Sequence, residues 1–80
     1  MFGFLGGLSE RKKAKVQIED KIEDIQLNLE NNYRKPAAEA YKAAQESVEE
    51  HFAEGHINEK DYKEYKKWLS EYEKKLEGYL

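Results

Sequence analysis

The chain reads as an all-α protein, a small up-down-up bundle of three helices, and three observations carry that reading. Apolar residues recur at helical spacing along most of the length. Pro36 and the junction Gly55-His56-Ile57-Asn58 divide that pattern into three stretches of similar size. The joints are too short for anything but antiparallel neighbours. Residues 9–80 are expected to form one domain, since 80 residues enclose a single modest core.

The first helix is expected over residues 9–31, with Ser9 as its N-cap. Ala14, Ile18, Ile22, Ile25 and Leu29 fall on one face, at ~100° per residue, and Tyr33 extends the stripe. Val16 and Leu27 lie opposite it. Residues 1–8 (MFGFLGGL) are read as a flexible, apolar, glycine-rich N-terminus. A secretory signal would carry its basic residues first and a longer apolar run after them. No apolar run reaches membrane-spanning length, so the expected compartment is the cytoplasm.

The second helix is expected over residues 36–54. Pro36 suits the first helical position, where its missing N–H is not needed, and it pushes the preceding residue out of the helical region. The stripe is Ala37, Tyr41, Ala44, Val48 and Phe52, with Ala40 and His51 beside it. Alanines let neighbouring helices approach closely but bury little area each. Lys42 stands against Glu39, Glu46, Glu49, Glu50 and Glu54, which gives this helix an acidic outer face.

The third helix is expected over residues 58–78, and the junction before it explains its start. Gly55 can take the left-handed conformation that closes a helix. Asn58 can accept from free N–H groups of the next first turn, and Asp61 can reach back as a capping box. Ile57 and Tyr62 hold the positions of a hydrophobic staple. Tyr62, Tyr65, Leu69, Tyr72, Leu76 and Tyr79 then alternate by three and four, a heptad-like seam flanked by Trp68.

Composition restricts the chemistry. Without cysteine there is no disulfide framework and no thiolate. Serine is limited to Ser9, Ser47 and Ser70, and Ser47 and His51 share a helix face without an acid to orient the imidazole. His51 and His56 lie five apart across a helix end, near Glu50 and Glu54. That spacing fits neither a helical i,i+4 pair nor a zinc finger. His51 is therefore read as edging the core and His56 as filling the loop, with no metal or cofactor site. The pairs Glu19–Glu23 and Asp20–Asp24 read as solvated faces, because acid–base work needs an enclosed site. Charged residues make up 39% of the chain yet sum to only −3, so the two signs are interleaved as on solvated helix surfaces.

Two features stand out from that background. Tyr65, Trp68, Tyr72 and Tyr79 combine apolar bodies with polar tips, which suits a partner surface. Arg11, Lys12, Lys13 and Lys15 cluster where the first turns of a helix disfavour positive charge, which suits contact with an anionic surface.

The run Gly55-His56-Ile57-Asn58-Glu59-Lys60-Asp61-Tyr62, followed by Lys66 and Leu69, resembles the core of the short bacterial helical hairpins called SHOCT domains, over residues 55–69. The usual Thr or Ser at the cap is Asn58 here. The resemblance implies a bacterial-type oligomerisation or contact element. The expected function is thus a small non-catalytic interaction protein, binding a protein partner or a second copy of itself, with no small-molecule substrate. The alternative is a peripheral membrane protein anchored through residues 1–15. Nucleic-acid binding through Arg11 to Lys15 is the weaker alternative, given the net negative charge.

Overall fold

A computed structural model of the chain describes the backbone from residue 2 to residue 80 and the side chains from residue 10 onward. Helices α1 (Phe2–Glu30), α2 (Arg34–Ala53) and α3 (Glu59–Lys75) follow one another without any strand among the described residues. Helix α1 packs along α2, and α2 along α3, as a three-helix bundle. The expected fold class is the observed one.

The helix limits differ from expectation in three places. Helix α1 begins at Phe2, so Ser9 lies within it and does not cap it. Extending a formed helix adds one hydrogen bond per residue without a new nucleus, and neither proline nor a cap interrupts residues 2–9. Whether the side chains of residues 1–8 pack lies outside the described residues. Helix α2 begins at Arg34, which makes Pro36 its third residue. The first four N–H groups of any helix lack a partner within it, so proline costs no bond there, and the ladder opens with Ala37 N–H donating to Tyr33 at 3.0 Å. Helix α3 ends at Lys75, and Gly78 beyond it takes a φ of 96°.

Both interhelical joints use the same C-terminal motif. After α1, Asn32 N–H donates to Leu29 O (3.0 Å) and Tyr33 N–H to Asn28 O (2.8 Å), with Asn32 at φ 64°. After α2, Gly55 N–H donates to Phe52 O (3.1 Å) and His56 N–H to His51 O (2.8 Å), with Gly55 at φ 78°. These are paired six-to-one and five-to-two bonds around one left-handed residue, and they satisfy carbonyls that the helix leaves free. The next helix then starts on its capping box. Asp61 N–H donates to Asn58 Oδ1 at 2.7 Å, and Asn58 N–H to Asp61 Oδ2 at 3.3 Å.

The core follows the expected stripes closely. Ala14, Ile18, Ile22 and Ile25 of α1 meet Ala37, Tyr41, Ala44 and Val48 of α2, and Ile57, Tyr65, Leu69 and Leu76 complete it. Ala38 and Ser47 are also buried. Three residues leave the stripes. Tyr33 is exposed because it sits in the joint, Phe52 is exposed but stacks on Tyr62 with ring centroids 4.1 Å apart, and Tyr79 is exposed beyond the end of α3. Val16 and Leu27 are exposed, opposite the core face, as expected.

The two left-handed residues make contrasting predictions. A Cβ at Gly55 would meet nothing within 4 Å, so Gly55→Ala suffers conformational strain alone and should lose about 1 kcal/mol. Asn32→Gly relieves strain but loosens the unfolded chain, and should shift stability by less than about 0.5 kcal/mol. Urea unfolding at constant m-value measures both.

Candidate functional site

Helices α1 and α3 run parallel, and long side chains join them in a regular ladder. Glu19 meets Tyr65 and Gln26 meets Tyr72, each pair 46 residues apart in sequence. Lys15 and Asp61 keep that same offset, at 3.6 Å. A constant offset is what two parallel helices in fixed register require. The tyrosine hydroxyls span the gap: Tyr65 donates to Glu19 Oε2 at 2.6 Å and Tyr72 to Gln26 Oε1 at 2.9 Å. Burial first, and then the Glu19 carboxylate, hold the Tyr65 hydroxyl far above its ordinary range.

The lower rung is ionic. Arg11 donates from Nε and Nη2 to the two oxygens of Asp61 at 2.8 and 2.9 Å, a bidentate pair. Asp61 is 4% exposed. The Arg11 hydrogen bonds, joined by the Asn58 N–H and by Lys15, bring its carboxyl down to about 2 against the opposing effect of burial. The basic residues of the sequence therefore divide. Arg11 and Lys15 face a carboxylate of the same chain, while Lys12 and Lys13 are exposed. With α1 starting at Phe2, Arg11 also lies well inside the helix, away from the unfavourable first turn.

Along the Glu19 to Gln26 stretch of that ladder the gap opens into a groove of about 560 Å³, lined by Glu19, Ile22, Glu23, Gln26, Trp68, Glu71, Tyr72 and Lys75. The aromatic residues singled out from sequence take different positions around it. Tyr65 is buried at 1% exposure, which corrects its assignment to a partner surface. Its ring and that of Trp68 pack edge-to-face, with centroids 5.5 Å apart and planes at 76°. Trp68 is 39% exposed on the groove wall, and Tyr72 is half-buried beside it. Tyr79 is exposed beyond the end of α3, away from the groove lining.

On the α2 side, the half-exposed Glu49 reaches across the surface to α3. It accepts from Lys66 Nζ at 2.8 Å and from the Tyr62 hydroxyl at 2.9 Å. The Lys66 hydrogen bond is the main reason its carboxyl lies below the usual range. The rest of the acidic face, Glu39, Glu46, Glu50 and Glu54, is exposed. Ser47 is buried, so it cannot serve as a nucleophile at the surface.

A second cluster sits on the α2–α3 turn. His51 Nδ1 lies 3.0 Å from His56 Nδ1, and His51 Nε2 lies 3.0 Å from Gln17 Oε1. His56 Nδ1 is 3.5 Å from Glu54 Oε1, and His56 Nε2 is 3.5 Å from Glu10 Oε1. Helical spacing alone does not bring residues 51 and 56 together. The turn around Gly55 does, because the six-to-one bond sets those two positions side by side.

The ionic rung gives a pH prediction. The folded Asp61 carboxyl titrates below the free group, so its contribution is complete above about pH 4 and is lost as pH falls toward about 2. Arg11 is half-exposed, so solvent screening holds that contribution to the order of 1 kcal/mol. Asp61→Asn keeps an oxygen for the Asn58 N–H and should lose that amount at neutral pH. Thermal unfolding against pH should show the two proteins converging between about pH 4 and pH 2. A difference that stays constant through that range would mean the charge contributes nothing.

No family model, curated protein or solved structure matches this chain. The likeness to SHOCT hairpins rests on residues 55–69 alone. No helix of the described residues is long and apolar enough to cross a membrane.

Proposed function

We propose that the protein is a small non-catalytic contact module whose working surface is the α1–α3 groove. Its partner would be an amphipathic helix with an apolar stripe and basic flanks. The observation that carries this reading is Trp68, left 39% exposed on the wall of an apolar groove in a chain short of core. Tryptophan and tyrosine anchors of this kind dominate interface energetics, and a groove between two parallel helices suits a third helix. Ile22, Trp68 and Tyr72 supply the apolar wall, and Glu19, Glu23 and Glu71 outnumber Lys75 around it. That charge balance favours a basic partner over an acidic one.

Trp68 is the single tryptophan of the chain, so its emission reports the groove directly. Titration with a synthetic amphipathic helix of about 18 residues (~27 Å), with a leucine stripe and lysine flanks, should shift that emission to the blue and saturate. The same stripe with glutamate flanks should bind at least about tenfold more weakly, from two or three surface charge contacts. Light scattering across a concentration series should give a mass near 9.5 kDa. Failure of both peptides to move the emission would sink the groove as a partner site. A concentration-dependent dimer lost in Trp68→Ala would make the partner a second copy.

A further inference from the structure

The histidine pair on the α2–α3 turn brings two ring nitrogens and a carboxylate oxygen together. His56 Nε2 lies 3.5 Å from Glu10 Oε1 and His56 Nδ1 lies 3.5 Å from Glu54 Oε1, so a carboxylate oxygen stands near each nitrogen of the ring. His51 Nε2 lies 3.0 Å from the side-chain oxygen of Gln17, which accepts from it when that nitrogen carries the proton. The two Nδ1 atoms stand 3.0 Å apart, close enough for one proton or one cation to bridge them.

We propose that His51, His56 and Glu54 form a binding site for a divalent first-row transition metal, zinc foremost, through the two Nδ1 atoms and one Glu54 carboxylate oxygen. Three features fit a metal there. The ligand atoms of all three residues lie within 4.8 Å of one another. The Nδ1–Nδ1 and Nδ1–Oε1 separations of 3.0 and 3.5 Å bracket the edge of about 3.3 Å that a tetrahedron with 2.0–2.1 Å bonds demands. Each imidazole also has an acceptor on its far nitrogen, the outer shell that fixes the tautomer of a metal-bound histidine. His56 is about one-third exposed and Glu54 largely so, which leaves a fourth position to water. The site is independent of the groove. It would tie the turn to α1 through Glu10 and Gln17.

The test uses the full chain and zinc chloride. Calorimetry should show one saturable zinc per chain, reversed by EDTA, and zinc should raise the Tm. His51→Gln and His56→Gln should each lose saturable binding and the Tm shift. Glu10→Gln, an outer-shell change, should weaken binding by about tenfold or more. Should the histidine variants unfold, nitrogen NMR of the unaltered chain decides. Zinc should move both Nδ1 resonances while each Nε2 stays protonated. Nδ1 resonances that respond to acid but not to zinc would overturn the proposal and leave a shared proton as the occupant. Binding retained in both histidine variants would overturn it as well.

Discussion

The arrangement of the three helices depends on one buried carboxylate. Asp61 accepts from the Asn58 N–H and so starts α3, and with its two oxygens it also holds Arg11 and meets Lys15 of α1. A local device, the capping box, and a long-range one, the tie between α1 and α3, thus share a side chain. Joining them fixes the rotation and height of α3 relative to α1 at the moment α3 begins. Neither device could do so alone, since a cap acts within one helix and a surface ion pair tolerates several geometries.

Everything further along the ladder inherits that register. Once Lys15 lies opposite Asp61, Glu19 comes opposite Tyr65 and Gln26 opposite Tyr72 at the same sequence offset. The core does not need these polar rungs for its apolar burial. What they add is specificity, because a hydroxyl and a carboxylate pair at one register and not at a neighbouring one. The requirement is strongest at Tyr65, which is buried and would lose its partner on any slip.

Much of this was legible in the sequence, and the exceptions share a physical cause. The stripes of α1 and α2, the stop at Gly55 and the Asn58–Asp61 cap all follow from local periodicity and capping chemistry. Asn32 carried a similar signal, since asparagine tolerates the left-handed region, though its neighbour Pro36 drew the helix start forward. The fate of Arg11 had no local signature at all. Its partner is fifty residues away, and no period links them. Tyr65 misled for a related reason: a tyrosine at a seam position reads as half-polar until its hydroxyl is seen to meet Glu19. The histidines escaped because spacing rules for helices stop at the helix end. Around a left-handed glycine, positions five apart become neighbours.

The groove follows from where bulk is placed along the helices. Helix α2 presents Ala37, Ala38 and Ala44 among its buried positions, beside Tyr41, Ser47 and Val48, so α1 and α2 can approach closely at the alanines. Helix α3 instead presents Tyr65, Leu69 and Tyr72, and its tyrosines reach α1 by their tips and not by their backbones. A bundle with small residues on one interface and long ones on another cannot be equally close on all three sides. The widest side opens between α1 and α3, and the ring placed on it is Trp68, braced from below by Tyr65. A sequence selected only for stability would put an aliphatic residue there and close the gap, since unfilled apolar space forfeits dispersion contacts on both walls. Retaining a partly exposed indole makes sense when a third surface completes the packing, and this is the physical reason to look for a helix in that groove.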